Sequence, residues 1–262
     1  MKRLLYKDLL KWKNSGSRKP LILEGARQVG KTWLLKEFAK NEYENFLYIN
    51  CETEISVKNV FSDYDTQRII RSLSALSGQN ILPKKTLIIL DEIQILPVAI
   101  TSLKYFCENA NEYHVAVAGS LLGVKMHEGT GFPVGKVDHL TLHPLSFKEF
   151  LLAMNKDILV QYLDEHKWNE YSALKTELTE LLRQYYFTGG MALMDKKYVE
   201  NQDLIEVRRI QKDILQDYEE DFSKHIPNTE LPKVTAVWNS IPSQLAKENK
   251  KFIWGALKKG AR

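Results

Sequence analysis

The sequence predicts an α/β fold, a parallel sheet with helices on both faces, followed by a helical region. Three observations carry that prediction. Short apolar runs alternate with amphipathic stretches through the first half of the chain, the pattern of repeated strand–helix units. The run Leu87–Leu90 is apolar at every position, as a strand covered on both faces requires. After Pro144 no convincing strand occurs up to about His225, and apolar residues keep helical spacing.

The elements follow in order. Pro20–Glu24 reads as the first strand, followed by a Gly-flanked loop and a helix from about Lys31 to Lys40. Asn45–Asn50 is a second strand. Asp65–Leu76 is helical, because Ile69, Ile70, Leu73 and Leu76 recur three and four residues apart. Thr86–Leu90 is a buried strand, and Val98–Ala110 is a helix entered behind Pro97, whose fixed φ suits a first turn. His114–Ala118 alternates into Gly119-Ser120, and Val137–His143 gives a fifth strand. Ser146 with Glu149 three residues on forms a capping box that opens the helical region. Gly189-Gly190 is the strong break within it. Boundaries are expected near residue 146 and near Pro227. They give a core over 1–145, a helical lid over 146–226 and the start of a further domain over 227–262.

A chain of 262 residues accommodates one large domain or two. Apolar residues at 44% and charged residues at 27% fit a globular protein and exclude a disordered one. Cys51 and Cys107 form no zinc or redox pattern, so a reducing, cytoplasmic compartment is expected. Lys7, Asp8 and Lys11 interrupt any signal-peptide core at the N-terminus. The longest near-apolar stretch, Val115–Val124, is too short to span a bilayer. The net charge is +4, and residues 227–262 hold seven basic against two acidic side chains, so the rest of the chain carries −1. That stretch is where a nucleic-acid or acidic protein partner would bind, unless its charges simply line a solvated helix face.

Gly25-Ala26-Arg27-Gln28-Val29-Gly30-Lys31-Thr32 matches the phosphate-loop pattern G-x-x-x-x-G-K-[ST] in full. The glycines let backbone N–H groups turn inward at phosphates, and the helix behind them adds its positive N-terminal end. Lys31 places a point charge on the β- and γ-phosphates and is expected in an exposed loop, while the Thr32 hydroxyl coordinates Mg2+. An apolar strand before and an amphipathic helix after supply the required context.

The run Leu87–Leu90 then delivers Asp91 and Glu92 to the carboxyl end of the sheet, where ligands of open α/β folds bind. Asp91 would hold Mg2+ through a bound water, and Glu92 would act as the catalytic base that polarises the attacking water of ATP. The spacing from Thr32 to Asp91 leaves room for one intervening strand, as in the AAA/RecA-like branch of P-loop proteins. Ser120 ends the next strand, where that branch sets a polar residue against the γ-phosphate, although a Gly-Ser pair is also an ordinary strand stop. A GTPase would need an Asn-Lys-x-Asp base reader, which neither Asn155–Ile158 nor Asn249–Phe252 supplies. A small-molecule kinase normally lacks the Glu beside the magnesium Asp.

These motifs, with Arg27-Gln28 in the loop, Ile93-Gln94 after the acids, Pro144–Phe147, Thr188–Met191 and Asp221–His225, resemble a large group of bacterial and archaeal AAA-type ATPases. Members fuse this core to a C-terminal domain of unknown function, and the chain also looks related to the STAND class of signalling ATPases. The resemblance implies ATP and Mg2+ as ligands. It also implies a winged helix-turn-helix-like segment begun by the tail, and a chain that stops short of the family's usual length. Two departures stand out. The Gly-Gly-x-Pro turn that lies against the base in the STAND class ends here in Ala192, and no arginine occurs between Arg71 and Arg183. Lys136 stands where relatives show arginine, and cannot fork onto two phosphate oxygens; Arg183, Arg208 and Arg209 remain as lid candidates.

His139 and His143 share a strand face in this reading but lack a third metal ligand. Trp12 and Trp33 flank the loop as packing residues or as a stacking surface for the base. The tail is expected to form a helix through Trp238, a short helix over Pro242–Glu248 and a third from Phe252. Two functions stay open: a slowly hydrolysing, nucleotide-controlled switch, and a scaffold that holds ATP with negligible turnover.

Overall fold

The computed structural model describes residues 2–119, 131–166, 171–248 and 252–253, with the side chains of Tyr171, Ser172 and His225 left aside. Five strands, β1 (Leu21–Glu24), β2 (Asn45–Asn50), β3 (Thr86–Asp91), β4 (His114–Ala118) and β5 (Asp138–Thr141), form one sheet. Its order is β2-β3-β4-β1-β5 and every pairing is parallel. The helices before residue 146 are α1 (Tyr6–Asn14), α2 (Lys31–Glu42), the one-turn α3 (Val57–Val60), α4 (Thr66–Ser77) and α5 (Pro97–Asn109). Beyond them lie α6 (Phe147–Ala153), α7 (Asp157–Glu165), α8 (Tyr171–Thr188), α9 (Ala192–Asn201), α10 (Leu204–His225) and α11 (Leu231–Leu245).

Alternation along the strands builds two cores. Ile22, Ile88, Leu90, Val115 and Val117 face one side with Ile69, Leu73, Leu103 and Phe106 of α4 and α5. Leu21, Leu23, Leu87 and Ile89 face the other with Leu9, Leu34 and Phe38 of α1 and α2. Each such side chain contributes roughly 1.5–3 kcal/mol on burial, which is why Leu87–Leu90 of β3 and Val115–Ala118 of β4 are apolar at every position. The expected parallel α/β sheet is therefore present, and β4 is the strand that separates β1 from β3.

Local signals set several boundaries. Asp65 caps α4 by accepting from the N–H groups of Gln67 and Arg68, and the Ser146–Glu149 capping box is formed in both directions. Gly190 breaks the helical region as expected, for a reason of space. A Cβ there would lie 2.7 Å from the Leu145 carbonyl oxygen, and the two backbones are joined by a Leu145 N–H to Gly190 carbonyl bond of 2.6 Å.

Three expectations are corrected. The fifth strand ends at Thr141, not His143, because the chain turns away after the Leu142 N–H bonds the Glu24 carbonyl. His143 therefore lies off the strand. The tail forms one helix through Leu245 rather than two meeting at Pro242. Proline removes one N–H near that helix's end, while the Ser240 and Ser243 hydroxyls bond the carbonyls of Val237 and Ser240 around the break. Phe252 and Ile253 are not helical, and the rest of the expected third helix lies outside the described residues. The chain divides by contact into two compact units, Met1–Gln202 and Asp203–Arg262, whereas the sequence pattern changes near residues 146 and 227. Residues 146–202 fall in the first unit, where Arg3 bonds Glu149 of α6 and the Leu145 N–H bonds the Gly190 carbonyl.

Candidate nucleotide site

The loop from Gly25 to Gly30 joins β1 to α2 at the carboxyl end of the sheet. Gly25 is required there: its φ is +143°, and a Cβ would come within 2.2 Å of the Leu142 carbonyl oxygen. Lys31, expected in an exposed loop, is only 8% exposed. Its ammonium donates to the carbonyls of Gly25 at 2.9 Å and Ala26 at 2.8 Å, inside the curve of the loop. Burial lowers the Lys31 pKa, and the nearby carboxylates of Glu92 and Asp91 oppose that shift.

Thr32 opens α2 and Asp91 closes β3, and the Thr32 hydroxyl donates to Asp91 Oδ2 at 2.5 Å. Tyr48 of β2 donates to the same oxygen at 3.1 Å, and the Glu92 N–H donates to Asp91 Oδ1 at 3.1 Å. Asp91 is buried by this cluster. Cys51, buried alongside, has its thiol pushed up to about 12 by burial and by Asp91 and Glu92, so it stays protonated. Glu92 takes a left-handed conformation, φ 51°, at the start of the 3-10 turn Ile93–Ile95. That turn brings Gln94 back over it, and the Gln94 amide donates to Glu92 Oε2 at 2.5 Å. Gln94 Oε1 is buried with no hydrogen-bond partner among the described residues.

The structure thus brings together Gly25, Gly30, Lys31, Thr32, Asp91 and Glu92. Val29 is buried under the loop; Ala26, Arg27 and Gln28 form its crest, where Gln28 also has a positive φ of 63°. Ser120 lies outside the described residues. His139 pairs with Glu24 at 2.8 Å, and no group of three metal-binding side chains occurs among the described residues. Trp12 is a packing residue, buried with its indole N–H on the Lys19 carbonyl. Trp33 is 44% exposed and lines a groove of about 750 Å³ with Lys2, Leu4, Leu34, Leu152 and Asn155. Lys136 is held by Glu108, and Arg183 and Arg209 pair with carboxylates of their own helices.

Sequence reasoning missed Arg3 and Tyr48. Arg3 is buried: Nη1 donates to the Val29 carbonyl at 2.8 Å, Nη2 to the His143 carbonyl at 2.5 Å, and Nε to Glu149 at 3.0 Å. It ties Val29 of the loop to the capping box of α6. No local pattern marks that arginine. Tyr48 carried a faint signal, as a polar-tipped aromatic two residues before the end of a strand. Ala192 also lies at the loop, 3.6 Å from the position of a Cβ on Gly30.

Residues 17–151 match the family model described as AAA domain, and residues 179–262 match one described as a domain of unknown function (DUF8612). No curated protein matches. Among solved structures, the Aeropyrum pernix ORC2 protein in ADPNP–ADP complexes is 16% identical, with a TM-score of 0.39 over 60% of this chain and 50% of that one. Drosophila ORC bound to DNA is 15% identical, with a TM-score of 0.42 over 95% and 69%. Cdc6p from Pyrobaculum aerophilum is 16% identical, with a TM-score of 0.36 over 60% and 47%. The chain spans about half the length of the two archaeal proteins.

Proposed function

The chain belongs to the AAA domain family through residues 17–151, and on that premise we propose that it binds ATP with Mg2+ and hydrolyses it slowly, as a nucleotide-controlled switch. One observation carries the reading: the Thr32 hydroxyl and the Asp91 carboxylate meet at 2.5 Å, one residue from the Lys31 ammonium. An oxygen-only pair of this kind suits a hard cation such as Mg2+. A cation held by Thr32 and Asp91 would supply neutralisation of the charge that develops on the transferred phosphate.

The chain's own residues supply the rest. Lys31 exchanges the Gly25 and Ala26 carbonyls for phosphate oxygens, and the loop N–H groups with the start of α2 complete the anion cradle. Glu92 accepts the proton of the attacking water. The nucleoside is assigned to the groove that Trp33 lines with Arg3 and Leu152, with the exposed indole as a face for the base. Slow turnover rests on the absence of arginine between Arg71 and Arg183 and on the engagement of Glu92 by Gln94. The switch rests on Ala192 beside Gly30 and on Arg3 joining Val29 to Glu149, contacts through which a filled loop would act on the helices that follow.

The same Gln94 bond favours a second reading, a scaffold that holds ATP without turning it over. The basic stretch 227–262 is the proposed contact for DNA or an acidic protein. A cytoplasmic location rests on two unpaired cysteines. No helix among the described residues is long and apolar enough to cross a membrane. The test combines ATP–Mg calorimetry with phosphate release, with and without DNA. Binding with release supports the switch, binding without release leaves the scaffold, and no binding sinks both. Stimulation by DNA supports the proposed contact.

A further inference from the structure

Tyr48 is the member of the sheet-end cluster that the nucleotide reading leaves without a task. It stands on β2 opposite Ile89, two positions short of the Asn50–Asp91 pair, on the sheet face that α2 covers. From there its hydroxyl reaches Asp91 Oδ2 at 3.1 Å. The Lys36 ammonium of α2 sits 3.3 Å from the centre of the Tyr48 ring, a cation–π contact that holds the phenol in place. The aromatic ring is thus fixed from one side while its hydroxyl is spent on a carboxylate.

An ionised carboxylate offers about four lone-pair sites. Among the described residues three are filled on Asp91: two on Oδ2 by the Thr32 and Tyr48 hydroxyls, and one on Oδ1 by the Glu92 N–H. We propose that Tyr48 is a positioning residue for the divalent cation. Its hydroxyl fixes the plane of the Asp91 carboxylate, so that the remaining site meets a water bound to the metal. Without that bond one donor remains on each oxygen, from Thr32 and from the Glu92 N–H, and the carboxylate plane is held less tightly for a cation that demands near-octahedral oxygen placement. The proposal rests on the reading that Mg2+ and ATP bind at this site. If Tyr48 served only to pack β2 against α2, phenylalanine would do as well, because it keeps the ring and the contact with Lys36.

Tyr48→Phe separates the two. ATP binding by the parent and the variant is measured by calorimetry in EDTA and at graded Mg2+ concentrations. The expected result is equal affinity in EDTA, with the Mg2+ concentration for half-maximal enhancement raised about tenfold or more in the variant, the range found when groups supporting metal ligands are removed. Superimposable Mg2+ curves overturn the proposal while leaving the nucleotide site intact. A loss of affinity already present in EDTA shows a structural role and overturns it too. A parent that binds no nucleotide, or binds it with no response to Mg2+, removes the site reading and the proposal together.

Discussion

Asp91 and Asp195 are both buried aspartates, and their surroundings differ in kind. Asp91 is 4% exposed, closes β3 and accepts three hydrogen bonds. Asp195 is 0% exposed and sits one turn into α9, the helix whose first residue lies beside Gly30. Neither of its oxygens has a hydrogen-bond partner among the described residues. The Thr188 hydroxyl exerts a lowering pull on that carboxyl, as does Arg3, yet Thr188 gives its proton to the Tyr185 carbonyl. Burial outweighs both and pushes Asp195 up to about 6. The comparison teaches that burial alone does not decide what an acid can do. The sheet end surrounds its carboxylate with three donors, whereas the helical junction leaves the Asp195 oxygens unbonded and burial raises its pKa.

The largest way to break this comparison is at the loop. Lys31→Ala is expected to abolish ATP–Mg binding while circular dichroism shows an unchanged fold, because the two bonds it loses both lie within the loop. A variant that binds ATP as tightly as the parent would refute the assignment of the sheet end as a phosphate site.

Asp195→Asn sharpens the other side. The native carboxyl keeps its proton up to about pH 6, against an ordinary value of 3.8. The folded state therefore binds more protons than the unfolded one between those values. Stability falls as pH rises through that window, and the loss is complete above it. Two pK units correspond to roughly 3 kcal/mol. Urea unfolding should show the asparagine variant more stable than the parent by up to that amount at pH 8, with the gap closing toward pH 4. Equal stability at pH 8 would mean that Asp195 is well bonded after all.

Glu92→Gln asks whether the sheet end does chemistry beyond holding a cation. Nucleotide affinity should persist while phosphate release slows at least about tenfold, since a positioned base contributes roughly 10²–10⁴-fold. Equal release by the two proteins removes Glu92 from the mechanism. The smallest effect is expected at Gln94, a second buried group with an unbonded oxygen. Gln94→Ala frees Glu92 and should raise phosphate release about fivefold, the equivalent of one hydrogen bond of ~1 kcal/mol. A fall instead would make Gln94 a support for the base.

Much of this was legible in the chain because the signals are local. Gly25 and Gly30 with Lys31 and Thr32 behind an apolar strand, the capping pair Ser146–Glu149, and Asp65 ahead of the Ile69–Leu73 spacing each act within a few residues. The helical tail was harder: a proline near the end of α11 reads as a stop, yet nearby hydroxyls and the remaining backbone bonds carry the helix past it.

By itself, then, the sequence determined the parallel α/β sheet, the glycine-flanked turn between β1 and α2, and the two acids at the end of β3. Period, turn chemistry and capping are properties of neighbours along the chain. Only the tertiary structure decided that Arg3 would bond Val29 across 26 residues and Glu149 across 146. It likewise brought Tyr48 to Asp91 across 43 residues, Ala192 to Gly30, and Asp195 into a site with no donor for it. Those outcomes depend on which elements pack together and on the donors each happens to present there, and no pattern local to an arginine, a tyrosine or an aspartate encodes its distant partner.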